Sequence, residues 1–132
     1  MRAILAVLCL LLPALGVAQT VPATVTLEWA LPTQNTNGTP IPATGTGSLT
    51  KIQVWLATSP IPANTTSAPT VEITPVGTTT TRTVNVAPGG TVYARLKACN
   101  ADLCSVFSNE VSAQIAQQPG VPTNVTIRIT IG

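Results

Sequence analysis

The sequence contains no histidine among its 132 residues and carries only ten charged side chains. Without histidine, neither a Ser-His nor a Cys-His nucleophile pair can form. The four carboxylates lie on separate predicted strands or turns, which gives no support to a site built on two carboxylates. Gly45 and Gly47 lie in a Thr-rich segment with no helix after it, so they do not make a phosphate-binding loop. We therefore expect no enzymatic activity and no cofactor.

Net charge and metal ligands are also scarce. Beyond residue 18, five Lys and Arg residues face four Asp and Glu residues, and the resulting net charge of +1 offers no electrostatic attraction to nucleic acid. Cys99 and Cys104 alone do not make a tetrahedral metal site. In an exported protein we expect this even pair to form a disulfide, with two free thiols as the alternative.

The first 18 residues have the pattern of a secretory signal peptide. Arg2 precedes an apolar run over residues 3–12, and the small-residue sequence Gly-Val-Ala ends at Ala18. That run is too short to span a bilayer comfortably, and no other segment is apolar enough to do so. Cys9 lies inside the run, where we interpret it as a signal residue, with a lipid anchor as the alternative. We expect a secreted protein that is extracellular, at the cell surface or in the periplasm.

From residue 19 onward, apolar residues recur with a period of two. In the first such run Val25, Leu27 and Trp29 alternate with polar residues, and we expect Trp29 in the core. Clusters of Pro, Gly, Asn and Thr between the runs indicate loops, which favours an antiparallel sandwich. The pattern predicts six strands, at residues 24–31, 51–57, 71–76, 81–86, 91–99 and 107–116.

Four sequence marks follow one another along these strands. The Trp29 strand ends at Pro32, a Pro-Gly turn at 88–89 leads into an aromatic strand, that strand ends in ACN, and SNEVSA follows at 108–113. In this order and spacing they resemble the fibronectin type III domain in its stand-alone bacterial secreted form. The resemblance covers about residues 23–116 and implies an all-β, Greek-key, immunoglobulin-like sandwich of about seven strands. We accordingly divide the chain into three parts: signal peptide 1–18, domain 19–118 and C-terminal extra strand 119–132.

One face of the predicted sheet gathers aromatic and charged side chains. If Ile52 and Val54 face the core, the strand alternation turns five other residues outward, namely Trp55, Tyr93, Arg95, Lys97 and Glu110. These residues form a candidate binding face for a glycan or a protein. The alternative is a solvated sheet face, on which Arg and Lys side chains cover the tryptophan and pair with Glu110.

The segment PGVPTNVTIRITIG, residues 119–132, begins with a Pro/Gly hinge and continues as a strand pattern; we call it the tail. One face of the tail carries β-branched residues, the candidate strand-exchange residues Val125, Ile127, Ile129 and Ile131. The resemblance implies a strand A about ten residues ahead of the Trp29 strand, where only residues 19–23 remain after signal cleavage. Four placements stay open for the tail: its own strand A position, pairing with its own last strand, donation to a neighbouring molecule, or disorder.

These features favour a secreted, non-enzymatic fibronectin type III-like module that acts in protein binding, adhesion or extracellular structure. One alternative is a self-assembling fibre subunit, joined head-to-tail by exchange of the C-terminal strand, so that its partner is itself. Another is a glycan-binding accessory module that uses the Trp55 face. We expect neither a nucleic-acid partner nor a membrane span.

Overall fold

A computed structural model describes residues 19–131, so the predicted signal peptide lies outside the described residues. Within that range the protein is all-β, and it holds no helix that could cross a membrane. The alternation of apolar and polar residues produces six strands: β1 (Val21–Glu28), β2 (Lys51–Ala57), β3 (Val71–Ile73), β4 (Thr79–Val86), β5 (Thr91–Cys99) and β6 (Val111–Gln114).

The strands form two antiparallel sheets. β1 pairs with β4 in a two-stranded sheet, and the other four strands form a second sheet in the order β3-β2-β5-β6. Val21 lies opposite Val86 and Glu28 opposite Thr79 in the first sheet, while Lys51 lies opposite Cys99 in the second. Two antiparallel sheets that bury apolar faces are consistent with the expected β-sandwich.

The predicted bounds of β2 and β5 are confirmed. β1 lies earlier than predicted, at 21–28 instead of 24–31, and β4 begins at residue 79 instead of 81. β3 and β6 are shorter than predicted, for local reasons. β3 stops at Ile73 because Pro75, two residues on, has no N–H for a ladder. β6 begins only at Val111, although a strand was predicted from residue 107. Before β6, the hydroxyls of Ser105 and Ser108 accept hydrogen bonds from the β5 backbone at 3.0 Å. Serine side chains thus replace part of the ladder that would have extended β6.

The core lies mainly in the four-stranded sheet. Its buried residues are Ile52, Val54, Trp55, Ile61, Val86, Val92, Ala94 and Cys99, and Val86 is the one member from the two-stranded sheet. The core-facing residues of β1, Ala23, Val25 and Leu27, are only half-buried. The apolar face of β1 is therefore incompletely covered, and the candidate functional site lies beside it.

Candidate functional site

The predicted aromatic face is covered by the loop at residues 58–70. Trp55 is only 7% exposed, and its indole Nε1 donates a hydrogen bond to the Ser67 carbonyl oxygen at 3.0 Å. The Phe107 ring meets the indole edge-on, with 4.6 Å between ring centroids. Trp55 does leave the core face of β2, as predicted. The expectation that it lies exposed for ligands is wrong, because the loop that directly follows β2 folds back over it, together with Phe107.

Arg95 and Glu110 hold this loop in place through one residue, Ile61; we call these contacts the Ile61 clamp. The Arg95 Nε donates to the Ile61 carbonyl oxygen at 2.6 Å, and the Ile61 N–H donates to the Glu110 Oε2 at 2.6 Å. Arg95 also donates to the Ser108 carbonyl oxygen at 2.9 Å. Both charged residues therefore bind backbone, whereas the ion pair among the described residues joins Lys51 to Glu72 at 2.7 Å.

The remaining members of the predicted face have separate surroundings. The Lys97 ammonium lies 4.4 Å from the Phe107 ring centroid and 5.5 Å from that of Trp55, which are cation–π distances. Tyr93 is half-buried beside β6, opposite Ser112. The structure thus groups four of the five predicted residues around the covering loop, and Tyr93 lies apart. Sequence reasoning missed Ile61, whose signal was an isolated apolar residue between two prolines.

Cys99 and Cys104 are joined by a disulfide, with a sulfur–sulfur distance of 2.05 Å. Cys99 is fully buried, and the short loop between the cysteines is organised by Asn100. The Asn100 side-chain oxygen accepts hydrogen bonds from the N–H groups of Asp102 and Leu103, at 2.9 and 2.7 Å. The bridge fixes the turn between β5 and the segment that leads to β6.

The outer edge of β1 has no strand beside it within residues 19–131. The Trp29 N–H donates to the Thr78 carbonyl oxygen at 3.0 Å, which assigns the odd-numbered residues of β1 to the hydrogen-bonded pairs with β4. Since backbone groups alternate sides along a strand, the N–H and C=O groups of Thr24, Thr26 and Glu28 point to the free edge. Pro22 also faces that edge but has no N–H.

An apolar cleft runs alongside this free edge, between the two sheets; we call it the β1 groove. Its larger part has a volume of about 420 Å³ and is lined mostly by apolar residues, among them Leu27, Trp29, Ile52, Leu96, Phe107 and Val111. A smaller part of about 110 Å³ continues past Val25 towards β6, and Leu27 and Val111 line both parts. The groove therefore follows the second half of β1, from Val25 to Glu28, and continues to Trp29.

Trp29 forms a wall of the β1 groove. The prediction placed it in the core, but its ring is half-buried and lines the larger cleft. The indole Nε1 donates to the Gly77 carbonyl oxygen at 2.8 Å, which fixes the ring at the end of β1. The incomplete burial of Trp29 follows from the same gap that leaves Val25 and Leu27 half-exposed.

The tail pairs with no strand within the described residues. Val125, Ile127, Ile129 and Ile131 are 75%, 86%, 80% and 92% exposed. Neither return to its own strand A position nor pairing with β6, two of the placements considered above, is found in the structure. The molecule thus combines an apolar groove beside a bare strand edge with an unpaired segment of strand pattern.

The chain leaves the domain at the end where β1 begins. The Gly89 N–H donates to the Ala116 carbonyl oxygen at 3.2 Å, and Gly89 lies in the turn that follows Val86, the partner of Val21. The Trp29 end of the β1 groove is therefore at the opposite pole of the domain. At the start of the tail's strand pattern, Asn124 has a φ of 54°, a left-handed conformation that asparagine tolerates better than most residues.

Comparison of the chain with protein-family models, with curated proteins and with solved structures finds no match. Within residues 19–131 there is no group of three His, Cys, Asp or Glu side chains that could hold a metal ion. The argument about function therefore rests on the β1 groove, the bare edge of β1 and the tail.

Proposed function

We propose that the protein is a secreted, non-enzymatic module of the fibronectin type III type, which acts in extracellular structure or adhesion by accepting an added β-strand. The added strand lies along the free edge of β1 and fills the β1 groove. The observation that carries the proposal is the apolar cleft of about 420 Å³ beside a strand whose outward backbone groups have no partner among residues 19–131.

The order of the strands supports the fibronectin type III part of the proposal. Under this proposal, the sheet β3-β2-β5-β6 is equivalent to the family's strands C′, C, F and G, and β1-β4 to its strands B and E. The position beside β1 is that of strand A. The secreted character rests on the signal-peptide pattern of residues 1–18 and is compatible with the Cys99–Cys104 disulfide.

An added strand suits this site for two physical reasons. Thr24, Thr26 and Glu28 supply backbone donors and acceptors for a new ladder, which gives affinity without regard to side chains. The groove then selects for side chains, because only every second residue of the new strand points into it. Its apolar lining favours β-branched residues at those positions, and the exposed outer face of β1 favours polar residues between them. An alternating segment such as the tail has this chemistry.

The glycan-binding alternative has no specific observation in its favour. A glycan-binding module of the kind expected above needs an exposed aromatic ring for a sugar to stack on, and Trp55 is covered by the loop at 58–70 and Phe107. The non-enzymatic part of the proposal rests on the absence of histidine from the sequence and on the scattered carboxylates.

A peptide-binding experiment tests the proposal. The acceptor is the mature chain with Ile127, Ile129 and Ile131 replaced by threonine, so that its own tail cannot compete. The probe is a synthetic peptide of residues 119–132, and the matched control peptide carries the same three threonines. We expect the native peptide to raise the melting temperature of the acceptor, because a ligand that binds only the folded state stabilises it.

Amide hydrogen exchange locates the bound strand. We expect the native peptide to slow exchange at Thr24, Thr26 and Glu28, whose N–H groups point to the free edge, and to change Val25 and Leu27 little, since β4 already protects them. Trp29 emission should shift to the blue as its ring is covered, and Trp29→Phe should remove that signal. If millimolar native peptide changes neither the melting temperature nor these amides, the edge of β1 is not a strand-binding site.

A further inference from the structure

We infer that the strand added at β1 is the tail of a second copy of this chain, antiparallel to β1, with Arg128 opposite Glu28. The inference rests on the proposed strand-accepting function and adds the identity, the direction and the register of the donor. It follows from the position of the tail, the parity of the two strands and the placement of charge.

The tail cannot easily supply this antiparallel strand to its own domain. It starts at the Val21 end of β1, whereas an antiparallel strand in this register must begin beyond Trp29, opposite Leu31. Ten residue steps separate Val21 from Leu31, which is about 33 Å of extended chain. The nine steps from Ala116 to Val125 span at most about 30–32 Å at full extension, which leaves no slack for the reversal of direction.

A neighbouring copy meets this requirement without any reversal. A tail that continues away from its own domain arrives at the Trp29 end of the next domain and runs toward that domain's Val21. Pro119 and Pro122 keep the connecting segment out of a ladder, since proline has no N–H to donate. A tail that turned directly onto its own β1 would start at the Val21 end and form a parallel ladder. An antiparallel ladder, which the neighbouring copy allows, is slightly more stable per residue.

Strand parity restricts the register. The edge-facing backbone groups of β1 belong to Thr24, Thr26 and Glu28, so the hydrogen-bonded pairs must form at these even-numbered positions. Directly opposite residues share a face, and the isoleucines of the tail are odd-numbered. Any register that pairs even with even therefore points the isoleucines into the β1 groove, and a slip by one residue would turn all of them to solvent.

Charge and proline select one register among those that remain. Glu28 is the charged residue of β1, and Arg128 is the charged residue of the tail. Placing these two opposite each other forms a cross-strand ion pair on the outer face. This register also pairs Thr130 with Thr26. It does not extend the ladder to Pro22, whose missing N–H would leave a carbonyl of the tail without a donor.

The same register matches the isoleucines to the groove. Ile127 falls opposite Trp29, Ile129 opposite Leu27 and Ile131 opposite Val25. Trp29 and Leu27 line the larger part of the groove, and Leu27 and Val25 line the smaller part. Ile129 occupies the middle position, beside the residue common to both parts. The contact is heterologous, because groove and tail are different surfaces, so repeated addition makes a polar filament unless a ring closes.

Cysteine cross-linking in the mature full-length chain tests donor and register together. The variant Thr26→Cys with Thr130→Cys places two cysteines in a hydrogen-bonded antiparallel pair, with Cα atoms about 5.5 Å apart, which is within disulfide range. The matched control is Thr26→Cys with Thr126→Cys, on the same face but four residues away along the tail. We expect mild oxidation to give a ladder of covalent oligomers at least ten times faster for the first variant than for the control.

The possible results separate this inference from the proposed function. Faster ladders with the Thr126 control, or cross-linked monomers instead of oligomers, overturn the register or the donor while leaving strand binding at β1 intact. A mature chain that stays monomeric by sedimentation at all concentrations, while its acceptor variant binds the peptide, overturns the second-copy donor alone. Absence of both peptide binding and oligomers overturns the two together.

A charge exchange checks the register without engineered cysteines. Glu28→Lys places two cations opposite each other, and Arg128→Glu places two anions there, so each should weaken assembly about two- to fivefold. The double exchange, Glu28→Lys with Arg128→Glu, should restore the assembly constant to within a factor of two of the native value. If the two single-variant losses in the assembly constant multiply in the double variant, Glu28 and Arg128 are not paired.

Discussion

Replacing Ile129 by alanine should weaken assembly of the mature chain about 30-fold. The side chain is 80% exposed when the tail is unpaired, so nearly all of its burial energy is gained on entering the groove. Truncation of a buried isoleucine to alanine costs about 2–5 kcal/mol, and we take about 2 kcal/mol because the groove is open on one side. At about 1.4 kcal/mol per tenfold change, this equals about 30-fold in the association constant.

The double replacement of Ile127 and Ile129 extends the same reasoning. The two side chains enter the same cleft, opposite Trp29 and Leu27, and losses at residues that share a cavity are coupled and not simply additive. We expect a combined loss larger than that of Ile129→Ala and at most about 4 kcal/mol, which corresponds to between about 30-fold and about a thousandfold. Sedimentation equilibrium over a wide concentration range measures both association constants.

An outward-facing position provides the control for these measurements. Thr130→Ala lowers β-propensity in the same strand but removes nothing from the groove, so it should change the association constant by no more than a few-fold. The reasoning is refuted if Ile129→Ala changes the constant less than twofold. It is refuted as well if Thr130→Ala costs as much as Ile129→Ala, because burial would then not distinguish the two faces of the tail.

Two further predictions concern the Ile61 clamp and the Glu72 carboxylate. Glu110→Ala leaves the Ile61 N–H unpaired beneath the loop, which should cost about 1–3 kcal/mol of unfolding free energy; urea unfolding measures the loss, and quenching by acrylamide in a Trp29→Phe background should report a more accessible Trp55. If neither changes, the Ile61 clamp does not hold the loop. A hydrogen bond from the Gln53 side chain, and a second one from Lys51, hold the pKa of Glu72 below its ordinary value. The ionised carboxylate therefore stabilises the fold above about pH 4.5, and that contribution is lost as the pH falls. Glu72→Gln should therefore be slightly less stable than the native protein near neutral pH and equal to it in strong acid, and an equal difference at both pH values would contradict this.

The sequence predicted β2 and β5 with their correct bounds because both are long, regular alternations that end at strong turn signals. Both strands pair in the centre of a sheet, where the pattern of core-facing residues is complete. β6 was predicted too long, since alternation does not reveal that serine hydroxyls take the place of backbone partners. The alternation of apolar and polar residues thus identifies which segments are strands, but it locates the ends of those strands poorly.

The surroundings of the two tryptophans were harder to predict than their strands. Alternation correctly turned Trp55 away from the core side of β2. What covers that face is a loop whose buried residue, Ile61, has no periodic signal. Trp29 was placed in the core because it continues the core-facing alternation of Val25 and Leu27, although only residues 19–23 were left for a strand beside it. The β1 groove exists because no strand of the described part of the chain lies beside the outer edge of β1. A sequence pattern describes the residues of a strand without showing whether a partner is present.

The opposite positions of the groove opening and the chain exit have a mechanical consequence. In a filament joined by tails, each tail lies lengthwise along β1 of the next domain, so a pull on the filament acts along the strand axis. Interstrand hydrogen bonds are perpendicular to that axis, and all of them resist the pull at once in shear instead of opening one after another from an end. The Cys99–Cys104 bridge lies near the pole where the incoming tail first meets the domain, at the point where the force is transferred from one subunit to the next.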